Sequence, residues 1–450
     1  MVVGLGKSGQ SVLQFLSRYE VPLVATDTRN SPPELAEIED RYPDLDIVLG
    51  PLDGELLSSV RCIVLSPGVS KDSPAIQQAV NSGVELIGDI ELFARYAKAP
   101  VIAITGSNGK STVTTLVARM AQKAALDVRY GGNLGIPALD LLGEDEPDLY
   151  ILELSSFQLE TMKTLMPVAS VVLNVTPDHM DRYPDLQSYA ETKGGIYSHA
   201  SHLIYDSDDE IVCELVNQQN GSSKLHSYHA GPPDGADSYG IMTKDGKTWI
   251  CRGGDFLLST DKLHIMGEHN YLNAMAALAL GESAGMGMAS MVEALQEFRG
   301  LPHRTEWVAD HNGVVWINDS KGTNVGATEA AIKGLLTETA GDSGKIVLIV
   351  GGQGKDGDFC SLQPLLKRHV RTVILMGEDA DIISKSFNGV VPEIFVEDMS
   401  AAVGAADMVA QHGDMVLLSP ACASFDQYSG FEERGTIFRD DLFDLIEGAL

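Results

Sequence analysis

A glycine-rich segment near residue 105 has the residue types that bind nucleotide phosphates. It reads TGSNGKST and lies between a predicted strand at Pro100–Thr105 and a predicted helix at Thr112–Ala124. In such a loop the backbone amides surround phosphates, a lysine reaches the terminal phosphate and a hydroxyl binds Mg²⁺. Ile104 takes the place of the first glycine of GxxxxGK[ST], which points away from GTPases. A glycine turn with an incidental lysine is the alternative. The predicted nucleotide-binding residues are Gly106, Asn108, Gly109, Lys110, Ser111 and Thr112.

A second glycine motif opens the chain. Gly4, Gly6 and Gly9 form GxGxxG after a short apolar run and before a helix-like pattern. This arrangement brings backbone N–H groups and a helix N-terminus close to a phosphate. Asp27 ends the next predicted strand, about 20 residues further on, as in a dinucleotide fingerprint. The segment therefore predicts a phosphate or nucleotide-sugar site, with a tight turn as the alternative.

Two further strand ends carry candidate ligands for a hard cation. Glu153 lies at the end of a predicted strand at Leu149–Leu154, and His179 follows one at Ala169–Val175. Magnesium bound to phosphate takes one or two carboxylates plus water, and has little preference for imidazole. We predict that both residues hold metal, against the alternatives of a solvated acid and a loop histidine.

The last third of the chain contains charged residues next to predicted strands. Arg304 follows Leu-Pro-His at a predicted domain boundary, and an arginine from another domain commonly neutralises a transferred phosphate. Asp319 and Lys321 come just after a strand, where α/β domains place ligands. A surface ion pair is the alternative for each. Cys422 is predicted to be a packed thiol because no activating base is near it in the sequence.

The elements that must position these residues belong to the α/β class, since β-branched runs alternate with helix-like stretches. We predict a Rossmann-like domain in residues 1–88, a central P-loop ATPase-like domain in residues 89–299 and a Rossmann-like C-terminal domain in residues 300–450. An antiparallel appendage is expected between about residues 217 and 266. The other predicted strands are Met1–Val3, Val21–Ala25, Ile47–Leu49, Cys62–Ser66, Thr248–Arg252, Phe256–Ser259, Lys262–Met266, Val314–Asn318, Ile346–Val350, Thr372–Met376 and Met415–Ser419.

Composition limits the possible partners. The 450 residues include 32 Lys plus Arg and 63 Asp plus Glu, a net charge of −31, which disfavours nucleic acid and anionic membranes as partners. No apolar run approaches the ~20 residues that span a bilayer, and no secretory signal opens the chain. The five cysteines are widely spaced and indicate neither disulfides nor a zinc site. A cytoplasmic protein is expected.

Together, the motifs resemble the Mur ligases, the ATP-dependent amide ligases of peptidoglycan precursor assembly. The resemblance rests on TGSNGKST, YGGNLG, LELSSFQLE, NVTPDHMDRY, GEHNYLN, LPHR, NDSKGTN, GGQGK and LSPACAS, whose order and spacing cover nearly the whole chain. Within the family, SSFQLE, NVTPDHMDRY and SPACAS are most similar to the member that adds D-glutamate. The resemblance implies UDP-binding, ATP-binding and amino-acid-binding domains, in that order.

The resemblance also implies roles for individual residues. The UDP moiety is assigned to the first domain, with Asn133 contacting the muramoyl group. Two Mg²⁺ ions are implied, held by Ser111, Glu153, His179 and a carbamylated Lys193. Lys321 would lie beside the reacting phosphoryl group. The remaining implied sets are Lys7, Ser8, Asp27, Thr28, Arg29 and Gly68 for UDP, Asn270, Asn273, His303, Arg304 and Asp319 for the nucleotide, and Thr323, Lys355, Ser424 and Phe431 for D-glutamate.

The implied reaction joins UDP-N-acetylmuramoyl-L-alanine to D-glutamate. Making an amide from a carboxylate in water is uphill, so ATP must activate the carboxylate as an acyl phosphate. Lys110, Arg304, Lys321 and metal would offset the repulsion between the two anions. A monomer is expected. Another Mur ligase or a folylpolyglutamate synthase-like ligase is the alternative within the fold; a nucleotide-binding switch or kinase and a non-catalytic dinucleotide-binding module belong to other classes.

Overall fold

The structure is a computed structural model that describes residues 1–133, 135–180, 182–219, 221–265, 267–336, 344–354 and 358–448. The chain forms two compact units. The first comprises Met1–Asp261 and Leu272–Leu295, and the second comprises Lys262–Tyr271 and Gln296–Leu450. The boundaries at residues 88 and 299 stay predictions.

The first unit begins with a five-stranded parallel sheet in the order β3-β2-β1-β4-β5. Its apolar strands are short and are joined by helices, which is the doubly wound arrangement that the alternating pattern predicts. The elements are β1 (Val2–Val3), α1 (Lys7–Leu16), β2 (Val24–Asp27), α2 (Leu35–Arg41), β3 (Asp46–Leu49), α3 (Gly54–Ser58), β4 (Cys62–Leu65), α4 (Pro74–Asn81), β5 (Glu85–Gly88) and α5 (Asp89–Tyr96).

A nine-stranded sheet follows, in the order β14-β13-β12-β11-β10-β9-β6-β8-β7. Its central strands are fully buried apolar runs, as expected for parallel strands covered on both faces. The elements are β6 (Val101–Thr105), α6 (Lys110–Lys123), β7 (Val128–Gly132), β8 (Leu149–Glu153), α7 (Ser156–Leu159), β9 (Ala169–Val172), α8 (Leu186–Gly194), β10 (His202–Asp206), α9 (Glu210–Asn217), β11 (Lys224–Tyr228), β12 (Tyr239–Lys244), β13 (Lys247–Arg252), β14 (Asp255–Ser259), α10 (Glu268–Ser283) and α11 (Met288–Glu297).

The predicted antiparallel appendage is an extension of this sheet. Strands β12, β13 and β14 form an antiparallel meander. It joins the parallel strands through one pairing, Tyr228 with Tyr239. The prediction of a strand at Lys262–Met266 is wrong, because the described residues there form a short 3-10 turn and bends. The first strand of the meander instead lies earlier, at Tyr239–Lys244, whose residues do not alternate between apolar and polar.

The second unit contains a six-stranded sheet in the order β15-β16-β20-β17-β18-β19. Among the strands that the structure describes in this sheet, only β15 is antiparallel to its neighbour; it pairs with β16 as a hairpin at the edge. Buried aliphatic side chains cover both faces of the central strands. The elements are β15 (Glu306–His311), β16 (Val314–Asn318), α12 (Val325–Leu336), β17 (Ile346–Gly351), α13 (Gln363–His369), β18 (Val370–Met376), α14 (Ala380–Phe387), β19 (Glu393–Phe395), α15 (Met399–Val409), β20 (Met415–Leu418) and α16 (Phe431–Gly448).

In the first unit the two sheets share one hydrophobic core. The cluster that holds Val2 and Leu5 of the first sheet also holds Ala103 and Leu152 of the second. Loops from both sheets are therefore held in fixed relation by buried apolar contact. Among the described helices, none is both long enough and apolar enough to cross a membrane.

Candidate functional site

The loop between β6 and α6 has the backbone of a phosphate cradle. Gly106 and Gly109 adopt φ values of +154° and +82°, which L side chains rarely adopt. A Cβ on Gly109 would lie 2.5 Å from Oδ1 of Asn273, and one on Gly106 would lie 2.9 Å from Cβ of Leu173. Both glycines are thus required by conformation and by space. Ser111 and Thr112 lie in the first turn of α6.

Residues after β9 hold this loop from the other side. The amide of Asn108 donates to Oδ1 of Asn174 at 2.9 Å, and the side chain of Asn174 donates back to the carbonyl of Asn108 at 3.2 Å. The hydroxyl of Ser107 bonds both backbone groups of Thr176, each at 3.0 Å. These contacts hold the loop in one conformation.

Two lysines converge on a single carbonyl of the loop. Nζ of Lys110 donates to the carbonyl of Gly106 at 2.8 Å, and Nζ of Lys193 donates to the same oxygen at 2.9 Å. Lys193 is almost fully buried, and its amine lies 4.6 Å from the centre of the Tyr189 ring. Burial, with repulsion from Lys110, lowers the pKa of Lys193 to about 7. A substantial fraction of Lys193 is therefore a neutral amine near pH 7.

Glu153 ends β8 and has an unsatisfied buried oxygen. Its Oε1 accepts a hydrogen bond from the side chain of Asn133 at 2.7 Å. Its Oε2 is buried and has no hydrogen-bond partner among the described residues. An ionised buried oxygen without a donor is costly, and a cation would satisfy it. Glu153 therefore fits a magnesium ligand.

His179 lies in an exposed turn. Its φ is +56°, uncommon for a residue other than glycine. Its Nε2 is 3.5 Å from a carboxylate oxygen of Asp178, and its ring is 4.8 Å from the ring of Phe157. Within the described ranges no group of three or more Asp, Glu, His or Cys residues forms a metal site. The assignment of His179 to metal thus stays a prediction.

A cleft of about 580 Å³ runs between loops of the two sheets in the first unit. One wall comes from the opening glycine loop and from the segments after β2 and β4. The opposite wall comes from the segments after β7 and β8. Among the residues predicted to bind substrate, it brings together Lys7, Ser8, Asp27, Thr28, Arg29, Gly68 and Asn133.

Asp27 acts in this cleft by shaping the loop. Its Oδ2 accepts from the amide of Leu5 at 2.7 Å, and both its oxygens accept from the Arg29 guanidinium at 2.8 Å. The hydrogen bonds from Arg29 lower the pKa of Asp27 to about 2, so that it stays ionised. The Asp27 carboxylate is saturated, whereas Arg29 remains about half exposed at the cleft.

In the second unit, Asp319 directly follows β16, and His303, which precedes β15, lies beside the last residue of β16, Asn318. Asp319 accepts from the amide of Thr305 at 3.1 Å and from the hydroxyl of Ser419 at 2.7 Å. Burial raises its pKa to about 6. His303 is buried and has a φ of +62°, and its Nδ1 is 3.1 Å from the side-chain nitrogen Nδ2 of Asn318. Arg304 adjoins this pair in sequence, and Asn270 lies in the first turn of α10.

The predicted D-glutamate residues that the structure describes lie in this same unit. Ser424 is buried in the loop after β20, and Phe431 begins α16. Nζ of Lys321 lies 5.4 Å from the centre of the Phe431 ring. Thr323 follows in the turn before α12, with its amide bonded to the carbonyl of Lys321 at 2.8 Å. Lys355 lies outside the described residues.

Comparison with known proteins decides the family. The MurD-like N-terminal domain of the Mur ligases matches residues 1–88, the Mur ligase middle domain matches 104–281, and the Mur ligase glutamate ligase domain matches 303–422. A UDP-N-acetylmuramoylalanine–D-glutamate ligase of Nitrosococcus oceani is 49% identical over 99% of this chain and 96% of its own length. The chain belongs to the Mur ligase family. A protein of the same name from Pseudomonas aeruginosa is 47% identical over 97% of this chain and 96% of its own.

Solved Mur ligases share the fold. A UDP-N-acetylmuramate–alanine ligase from Thermotoga maritima aligns with a TM-score of 0.57 at 19% identity, covering 100% of this chain and 99% of its own. A UDP-N-acetylmuramoyl-L-alanyl-D-glutamate–2,6-diaminopimelate ligase aligns with a TM-score of 0.62 at 18% identity. The alignment covers 88% of this chain and 94% of that one. The predicted α/β fold of a Mur ligase is confirmed. Because these ligases differ in their amino acid, the shared fold does not specify the acceptor.

Sequence reasoning missed a buried arginine, Arg434, that bonds three loops of this Mur ligase. Arg434 is 2% exposed in α16, and it donates to the carbonyls of Ser320 at 2.9 Å, Cys422 at 3.1 Å and Gly351 at 3.4 Å. Burial lowers its pKa to about 10. In the part of the chain that the structure describes, no carboxylate pairs with it. The sequence signal is only an arginine amid helix-like residues, which normally indicates a solvent-exposed charge.

Proposed function

We propose that this Mur ligase uses ATP to join D-glutamate to UDP-N-acetylmuramoyl-L-alanine. The observation that carries the proposal is the cleft of the first unit. It leads from the opening glycine loop to Asn133, whose side chain bonds Glu153 beside an unsatisfied carboxylate oxygen. A long UDP-linked substrate fits such a cleft, with its acid end near a metal ligand. Full-length similarity to ligases named for this reaction supports the proposal.

The proposed chemistry has two steps. First, a carboxylate oxygen of the substrate attacks the γ-phosphorus of ATP; the bond to the β–γ bridging oxygen breaks, giving an acyl phosphate and ADP. Second, the amine of D-glutamate attacks the acyl carbon; the C–N bond forms, the C–O bond to phosphate breaks, and the amine loses a proton. No redox partner is needed. The cleft and loops serve to hold the reactants in line and to exclude water.

Lys110 supplies positive charge at the phosphate loop. Its ammonium donates to the carbonyls of Gly106 and Ser107 at 2.8 and 3.0 Å, so it is held against the phosphate loop. Such a cation offsets the repulsion between a carboxylate and a triphosphate. The exposed Arg29 would serve the diphosphate of the UDP moiety in the same way. In the second unit, Arg304 and Lys321 are still predicted to neutralise charge on the transferred phosphoryl group.

Magnesium would be held by Glu153 and by the hydroxyl of Ser111. The unsatisfied Oε2 of Glu153 gives this fit, since an anionic oxygen is a ligand that Mg²⁺ prefers. Bound there, the ion would neutralise phosphate charge. We keep His179 and a carbamylated Lys193 as further proposed ligands, and two ions as the proposed number. Cytoplasmic location and a monomeric state also stay predictions.

We expect D-glutamate to be selected through its two carboxylates. Ser424 and Thr323 offer hydroxyl donors and Lys355 an ammonium, while Phe431 forms a wall for the aliphatic stem. Orthophosphate release with UDP-N-acetylmuramoyl-L-alanine and ATP should therefore be fast with D-glutamate and slow with L-glutamate, D-glutamine or L-lysine. Efficient use of L-lysine or L-glutamate would overturn the acceptor, and phosphate release independent of any amino acid would favour a switch or kinase instead.

Lys193 gives a prediction about carbon dioxide. With a pKa of about 7, Lys193 is partly a neutral amine at pH values where an ordinary lysine is almost fully protonated. Neutral amines add CO₂ to form a carbamate. Ligase activity should fall when CO₂ is rigorously removed and return with bicarbonate. The fall should be steeper at pH 6 than at pH 8.5, because protonation competes with carbamylation. Equal activity with and without CO₂, with an unmodified Lys193 in a high-resolution map, would contradict the idea.

A further inference from the structure

Arg182 joins the two walls of the cleft in the first unit. It belongs to the NVTPDHMDRY segment after β9, and only 16% of its side chain is exposed. Its Nη1 donates to the carbonyl of Pro67 at 3.2 Å, and its Nη2 lies 3.4 Å from the carbonyl of Val69. Both carbonyls belong to the turn after β4, whose residues line one wall.

The same guanidinium is fixed on the opposite wall. Its Nε and Nη2 donate to the carboxylate of Glu160 at 3.2 and 2.8 Å. Glu160 directly follows α7, is 5% exposed at its side chain, and also accepts from the hydroxyl of Tyr183 at 2.8 Å. The guanidinium carbon lies 4.5 Å from the centre of the Phe157 ring, and Phe157 lines the cleft. Two parallel hydrogen bonds in a nearly buried pair fix the orientation of the Arg182 guanidinium relative to the Glu160 carboxylate.

The turn after β4, which Arg182 contacts, also packs against the opening glycine loop. The hydroxyl of Ser66 donates to the carbonyl of Gly4 at 2.7 Å. A Cβ on Gly4 would lie 2.8 Å from Cβ of Ser66 and 3.1 Å from a methyl of Val69, so the two loops are in close contact. A shift of the turn would therefore move the loop predicted to bind the UDP moiety.

We propose that Arg182, held by Glu160, is a positioning residue that sets the width of the cleft for the UDP-linked substrate. The inference rests on the proposed function. Arginine is required because one planar fork must serve a carboxylate on one wall and two carbonyls on the other. A lysine ammonium cannot reach both sets in fixed geometry.

The test measures substrate affinity by calorimetry, with UDP-N-acetylmuramoyl-L-alanine and ATP as separate ligands. Arg182→Lys and Arg182→Ala should each weaken binding of the UDP-linked substrate by about tenfold or more, the usual effect of losing charge-assisted hydrogen bonds. Glu160→Gln should act in the same direction. The affinity for ATP should stay within about twofold, and the KM for the UDP-linked substrate should rise more than kcat falls.

Arg95→Ala is the matched control. Arg95 lies in the same unit and pairs with the buried Glu91 at 3.1 Å and with Glu85 at 2.7 Å, but it does not line the cleft. It should leave both affinities unchanged. Should Arg182→Ala fail to fold, Arg182→Lys and Glu160→Gln decide the matter. Wild-type affinity in these variants, or equal loss for both ligands, would overturn the inference, whereas failure of the wild type to bind the UDP-linked substrate would overturn the proposed function.

Discussion

Replacement of Lys110 by alanine is expected to lower the ligation rate by about a thousandfold or more, equivalent to about 4 kcal/mol of transition-state stabilisation. The reason is that its ammonium is held against the predicted phosphate loop, within 3.0 Å of two of the loop's carbonyls. Binding of UDP-N-acetylmuramoyl-L-alanine should remain within about twofold, because Lys110 does not line the cleft. Phosphate release and calorimetry measure the two effects.

Lys123 provides the matched control for this substitution. It lies at the other end of the same helix, α6, where its amine pairs with Glu293 at 2.9 Å. Lys123→Ala removes the same charge from the same element and should leave the ligation rate within about twofold, since exposed ion pairs contribute little. A tenfold loss of rate corresponds to only about 1.4 kcal/mol of transition-state stabilisation. If Lys110→Ala kept more than about a tenth of the wild-type rate, the role assigned to Lys110 would be wrong.

Glu153→Gln is expected to have the second largest effect, a fall in the ligation rate of about a hundredfold. The amide retains the shape of the side chain, and its oxygen can still accept from Asn133. It removes the anionic oxygen that has no donor in the described structure. The Mg²⁺ concentration for half-maximal activity should rise, and Mn²⁺ binding measured by electron paramagnetic resonance in the presence of ATP should weaken.

Asp148→Asn tests whether charge alone explains that effect. Asp148 immediately precedes β8, the strand that Glu153 ends, and its carboxylate accepts from the amide of Asp127 at 2.8 Å. Asparagine can keep this bond, so activity and metal dependence should both be unchanged. Unaltered Mn²⁺ binding in Glu153→Gln would show that Glu153 is not a metal ligand, whatever happens to the rate.

The features predicted well from sequence are those set by local chemistry. Gly106 and Gly109 were predicted to lie in a loop between a strand and a helix, and they lie between β6 and α6. The buried apolar strands that end near Thr105 and Glu153 were predicted within about one residue, because such runs have few alternative structures. The strand at Tyr239–Lys244 was missed because its residues do not alternate between apolar and polar: its first two residues are buried and its last two residues are exposed.

Long-range contacts could not be predicted in this way. The role of Asp27 in binding the UDP moiety stays a prediction, but no spacing rule reveals that its carboxylate also accepts from the amide of Leu5 and from the side chain of Arg29. Arg182 meets carbonyls 115 and 113 residues earlier in the chain. Periodicity reports which face of an element is buried, but it does not report which distant backbone group a buried polar side chain will bond.

Arg434 has a consequence for the order in which the second unit forms. Its partners Ser320 and Gly351 precede it by 114 and 83 residues, and Cys422 by 12. A growing chain therefore completes all three loops before their shared donor exists. Until α16 docks, these carbonyls must remain solvated or be bonded elsewhere, and non-local contacts of this separation form late. Maturation of the proposed amino-acid site should thus be the final event in synthesis of this unit, after its sheet has assembled.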